Sequence, residues 1–128
     1  MKTIKTLSLL LLLVLMTSCN NDDDVMSHTL TMSDAVLNIS EDLTSDLLAT
    51  IVATDSNNEH ELTYSIVSQT PANSVIISET TGELYVGNAS AFDYEQNTTI
   101  TVVIEATDGT LSTQATLTIN IIDVQENG

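Results

Sequence analysis

Apolar residues recur at every second position along most of this chain. Ile100, Val102, Ile104 and Ala106 alternate with Thr99, Thr101, Val103 and Glu105, and Ala115, Leu117, Ile119 and Ile121 alternate with Thr116, Thr118 and Asn120. The same two-step rhythm runs through Leu62, Tyr64 and Ile66 and through Ala49, Ile51 and Ala53. Successive side chains of an extended strand point to opposite faces, so each set presents one apolar face and one rich in threonine. Threonine and isoleucine suit that backbone. With the shorter runs, the pattern predicts seven strands, at residues 35–40, 47–54, 61–67, 74–78, 83–87, 98–107 and 111–122.

Turn chemistry separates them. Asp108-Gly109 predicts a tight hairpin between the last two long strands, Thr81-Gly82 predicts another turn, and Pro71 falls in a loop. Residues 42–49 are the one window past the N-terminal segment where a short helix competes with a strand. Aromatic residues are few (Tyr64, Tyr85, Phe92 and Tyr94), so the core is expected from Leu, Ile, Val and Ala. Seven strands within residues 34–128 are expected to form one all-β domain, a seven-stranded Greek-key β-sandwich.

The first 33 residues follow other rules. Lys2 and Lys5 precede an apolar run at residues 7–16, and Thr17-Ser18 leads to Cys19. A basic start, a short apolar core and a small-residue exit have the order of a secretory signal, here residues 1–18. The run is too short to span a hydrocarbon layer of ~30 Å as a helix. Leu15-Met16-Thr17-Ser18-Cys19 resembles the lipobox of bacterial lipoproteins, with Met16 departing from the commonest pattern. That resemblance implies cleavage before Cys19 and acylation of it, giving a membrane partner through a lipid anchor; the plainer alternative is a secreted protein with one leftover thiol. The acidic run Asp22-Asp23-Asp24 resembles the surface-export signal of some Gram-negative lipoproteins, which implies an outer-membrane, cell-surface location. Residues 19–33 lack an apolar period and read as an acidic flexible tether.

Charge sharpens the picture. Lys2 and Lys5 are the only basic residues, and all 18 carboxylates lie beyond Cys19. Losing the two lysines with the signal takes the net charge from −16 to −18. With no cation to meet phosphate, nucleic-acid binding is excluded. The acids gather at strand ends: Glu41-Asp42, Asp55-Ser56-Asn57, Asp93-Tyr94-Glu95, Asp108-Gly109 and the segment from Asp123 to Glu126. Loop carboxylates and free carbonyls can converge there on a hard divalent cation without breaking a ladder.

The order Glu41, Ala53-Thr54-Asp55, Leu62-Thr63-Tyr64-Ser65-Ile66, Thr81-Gly82-Glu83-Leu84, Phe92-Asp93-Tyr94-Glu95, Ala106-Thr107-Asp108 and Asp123-Val124-Gln125-Glu126-Asn127 resembles a cadherin repeat over residues 34–127. The resemblance implies a cadherin/immunoglobulin-like sandwich that binds Ca2+. It places Glu41, Asp93, Glu95 and Asp123 as ligands at the lower end, and Asp55, Asn57 and Asp108 at the upper end. In that family calcium lies between successive repeats, so a further downstream domain is expected to complete the lower site. Two departures stand out: Asn57 where the family has a second Asp, and Gln125-Glu126 where it has the shorter Asn-Asp.

Other chemistry is poorly supported. His28 lies in the tether and His60 between Glu59 and Glu61; far apart in sequence and with no cysteine in the folded part, they are expected to be solvated rather than to make a zinc site. Nothing supports a Ser-His-Asp hydrolase or a glycosidase cleft, so no enzyme is expected. The functional expectation is a calcium-binding adhesion or spacer module on a lipid-anchored surface protein, with a protein or glycan partner. The alternatives are a glycan-binding module of a nutrient-uptake system, for which Tyr85 and Tyr94 are the candidate platforms, and a ligand-free stalk.

Overall fold

A computed structural model describes residues 27–126 of the chain. The signal segment, Cys19 and the aspartate run lie outside the described residues. Nine strands form among the described residues: β1 (Leu30–Thr31), β2 (Ala35–Ser40), β3 (Leu47–Thr50), β4 (Thr54–Asp55), β5 (Thr63–Thr70), β6 (Val75–Ile77), β7 (Glu83–Val86), β8 (Thr99–Thr107) and β9 (Ser112–Ile122). One sheet has the order β2-β9-β8-β5, a second has β3-β7-β6, and β1 pairs β4 in a small third ribbon. Every pairing is antiparallel except β2 on β9, which runs parallel from Ala35 beside Leu117 to Ser40 beside Ile122.

The two-step rhythm of β8 and β9 is realised as burial. Ile100, Val102, Ile104 and Ala106 on one strand, and Leu117, Ile119 and Ile121 on the other, are almost wholly removed from water. All but Ala106 form one cluster with Val75 and Leu84 from the second sheet and Phe92 from the connection between β7 and β8. Their threonine partners face outward. This is the expected all-β sandwich, and residues 42–49 form no helix.

The expected strand over residues 47–54 is interrupted. β3 shifts register against β7 between Leu47 and Ala49, and residues 51–53 leave the ladder before β4 begins. Gly82, at φ +75, brings its backbone against Ile51, whose N–H donates to the Gly82 carbonyl at 2.8 Å. The Ala53 N–H donates instead to the Tyr64 hydroxyl at 3.1 Å. Two backbone donors are thus satisfied without strand pairing, which lets the chain turn from one sheet to the ribbon.

The folded body also begins before residue 34. Leu30 is buried with Ala53, Tyr64 and Ala106, and Met32 packs beside them. β1 is locked to the residues after β4 by Ser56 N–H to the Thr29 carbonyl and Thr29 N–H to the Ser56 hydroxyl, both 2.9 Å. The tether is therefore corrected: its last residues belong to the domain, because Leu30 and Met32 find an apolar site that a short local pattern does not announce.

Candidate metal-binding ends of the sandwich

Strand β8 spans nine residues, about 27 Å between its end Cα atoms. Acids collect beyond both of its ends. At the lower end, three segments converge. Glu41 follows β2, and its N–H continues the parallel ladder to the Ile122 carbonyl at 3.1 Å. Asp93 and Glu95 follow the 3-10 turn Ala89–Phe92, which Asn88 caps by accepting the Ser90 N–H and which is anchored by buried Ala91 and Phe92. Asp123 and Glu126 follow β9. Glu41 staples the three segments: its Oε1 accepts the Val124 N–H at 2.7 Å and its Oε2 accepts the Tyr94 N–H at 3.0 Å. The Asp93 Oδ1 accepts the Glu95 N–H at 3.0 Å, so that loop is held by its own side chain.

The electrostatics of this end match its geometry. The Val124 and Tyr94 amides, with a contact to Asp123, hold the Glu41 carboxyl below its ordinary value of 4.5. The Glu95 carboxyl is pushed above 4.5, first by desolvation and then by the charges of Glu41, Asp123 and Asp93. Carboxylate oxygens of Glu41, Glu95 and Glu126 lie within 4.8 Å of one another. The structure thus brings Glu41, Asp93, Glu95 and Asp123 to one end and adds Glu126, whose longer side chain enters the group. Glu41, Asp93, Glu95 and Glu126 line an open cleft of about 810 Å³. The donors are oxygen only, and like charges are crowded without a basic residue, so the set suits a calcium ion. Such an ion would be held by Glu41, Asp93, Glu95, Asp123 and Glu126 and would cancel the like-charge repulsion that adds to desolvation in raising Glu95.

At the upper end the grouping differs from the sequence reading. Asp55 and Asp108 are brought together, while the Asn57 N–H donates to Asp55 Oδ1 at 3.1 Å and its Oδ1 accepts the Glu59 N–H at 3.3 Å. Two histidines join the carboxylates. His28 Nε2 donates to Asp108 Oδ2 at 2.8 Å, and His60 Nδ1 lies 3.5 Å from Asp55 Oδ2. The rings stack with centroids 5.5 Å apart. The expectation of two separate, solvated histidines is corrected, because β1 carries His28 across to the loop after β8. A faint signal was present in Thr29-Leu30-Thr31-Met32, one two-step alternation directly after His28. Asp108 is held down to about 2, chiefly by the Leu111 and Thr110 amides and then by His28.

Glu95 and Asp108 respond to acid with opposite sign. A carboxyl raised in the fold contributes stability that is complete below its unfolded value and is lost as pH rises through its folded value. Glu95 therefore favours the metal-free fold as pH falls toward 4.5. Asp108, depressed to about 2, contributes stability above 3.8 that disappears as pH falls toward 2. In chelator, the Glu95→Gln variant is expected to melt higher than the parent at pH 7. The gap is expected to close by about pH 4.5, where the parent carboxyl is protonated. Melting curves across that range check this; a variant that melts lower than the parent at pH 7 contradicts it.

Comparison with known proteins follows this geometry. A family model described as "Cadherin domain" matches residues 35–122. Among solved structures, human protocadherin-24 EC1-2 aligns at 25% identity and a TM-score of 0.62, covering 75% of this chain and 44% of that one. Drosophila N-cadherin EC1-4 aligns at 25% identity and 0.63, covering 77% and 25%. Protocadherin gamma B2 extracellular cadherin domains 3-6 share the fold at 18% identity and 0.65, covering 77% and 25%. The chain spans less than half the length of each of these structures. A search of curated proteins found no match. With the matched segment running from β2 to the end of β9, the chain belongs to the cadherin domain family.

Proposed function

We propose that this domain is a calcium-stiffened adhesion or spacer module, carried on the surface of a bacterial outer membrane by a lipid on Cys19. The cadherin family is an adhesive, non-enzymatic type, which supports the coarser part of this reading. The observation that supports the calcium part is the convergence of Glu41, Asp93, Glu95, Asp123 and Glu126 with the proton affinity of Glu95 raised. A calcium ion there ties the end of β2, the loop before β8 and the segment after β9 into one rigid tip. A neighbouring module or a second partner supplies the ligands this tip lacks. The glycan-platform alternative is weakened by Tyr94, which packs against the core instead of standing free.

A site completed by water is expected to bind in the ~10⁻⁴–10⁻³ M range of extracellular calcium modules. At about 10 mM calcium, mass action then adds roughly 1.4–2.7 kcal/mol. For a domain of this size that raises the melting midpoint by about 6–20 °C over chelator. Titration calorimetry and paired melts test it; no heat and an unchanged midpoint defeat the calcium reading. The anchor is tested separately: palmitate label should enter the parent when expressed in a Gram-negative host and not the Cys19→Ala variant.

A further inference from the structure

The upper end adds two imidazoles, donors that calcium does not call for, to the carboxylates of Asp55 and Asp108. Asp55 and Asp108 are buried, with side chains 3% and 0% exposed. Each ties one oxygen to backbone amides and presents the other to an imidazole. Asp55 Oδ1 accepts the Asn57 N–H at 3.1 Å, and Asp108 Oδ1 accepts the Thr110 and Leu111 N–H groups at 2.8 and 2.7 Å. The inner oxygens differ. Asp108 Oδ2 accepts from His28, but Asp55 Oδ2 is fully buried and accepts no hydrogen bond among the described residues. His60 Nδ1, at 3.5 Å, lies outside good hydrogen-bond geometry. A buried carboxylate oxygen without a partner is costly, and the chain beyond Lys5 offers no lysine or arginine to compensate it.

We propose that His28, Asp55, His60 and Asp108 form a zinc site. One donor atom from each lies within 4.8 Å of the other three. Two imidazole nitrogens with two carboxylate oxygens are a four-coordinate donor set that zinc accepts and calcium, which takes six to eight oxygens, does not. Bond lengths of about 2.0–2.1 Å place tetrahedral donors roughly 3.3 Å apart, so the ligands must draw inward. The His60 side chain, 40% exposed, has room to swing toward Asp55, and His28, 17% exposed, is already beside Asp108. The amide bonds to the outer carboxylate oxygens supply the supporting contacts that orient metal ligands. Bound zinc gives Asp55 Oδ2 its missing partner. It also fastens the chain at residue 28 to the loops after β4 and β8, fixing the direction in which the domain leaves its tether.

The test uses the full chain in a Cys19→Ala background, so that the thiol takes no metal. After chelator and dialysis, zinc chloride titration should show a tight site that survives about 10 mM calcium, since that ion competes poorly for nitrogen donors. Cobalt should give the intense visible absorption of a tetrahedral ion. His60→Gln and His28→Gln should each weaken zinc by more than the roughly 10–100-fold that loss of a supporting group costs. Both variants should keep the parent's circular dichroism and its calcium response, which separates this site from the lower one. Absence of zinc binding, equal displacement by calcium, or unchanged affinity in the folded His60→Gln variant overturns the assignment.

Discussion

Phe92→Ala is expected to lower stability by about 3–5 kcal/mol, the usual loss when a buried phenylalanine becomes a cavity. Phe92 is 1% exposed and lies among Val75, Leu84, Ile100 and Ile119. It is the only phenylalanine in a chain without tryptophan. Domains of this class hold about 5–15 kcal/mol in total, so the variant is left close to unfolding at physiological temperature. The effect reaches function because Asp93 and Glu95 follow directly from this residue. Their loop is pinned to the body by Phe92 and by the Asn97 amide on the Ala91 carbonyl. Urea titration measures the loss, and calcium calorimetry on the surviving folded fraction should show weaker binding. A loss below about 1 kcal/mol would mean that the side chain is not packed as described.

Gly82→Val is the second large effect, expected at about 2–5 kcal/mol from two additive causes. The residue sits at φ +75, a conformation that costs an L side chain about 1–2 kcal/mol and a β-branched one more. Its Cβ would also collide with the Ile51 carbonyl oxygen and crowd the Tyr64 ring at 3.3 Å. Relieving the collision means pulling the β6–β7 turn away from the break between β3 and β4. That sacrifices the Ile51 to Gly82 hydrogen bond and disturbs the Tyr64 hydroxyl that serves Ala53. Gly109, also at positive φ (+95), has open space where a Cβ would stand. Gly109→Val is thus the matched control: it carries the backbone cost alone, and the difference between the two melts isolates the steric term. Equal melts for the two variants would refute the close approach at Gly82.

The long strands were legible because their burial is strictly periodic. Every inward residue of β8 from Ile100 to Ala106 is inside, so a local alternation carries the whole answer. The same pattern put the acids in loops and at strand ends, and the resemblance to a cadherin repeat, rather than any spacing, grouped Glu41, Asp93, Glu95 and Asp123 at one end. What escaped depends on contacts between segments far apart in sequence. The break at residues 51–53 is imposed by Gly82, about thirty residues on, although the apolar alternation of Ala49, Ile51 and Ala53 runs straight through it. β1 is two residues long and gains its place from Asp55 and Ala106 rather than from its own pattern. The histidine pair is the sharpest case. His28 and Asp108 are 80 positions apart, and no spacing rule joins them.

The parallel pairing of β2 with β9 has a mechanical consequence. A pull entering near residue 34 and leaving near residue 123 draws the two strands in opposite senses along their length. Six aligned positions, from Ala35 opposite Leu117 to Ser40 opposite Ile122, then share the load in shear at once, instead of parting one after another as an unzipped hairpin does. A module that carries tension along its chain is strongest when loaded that way.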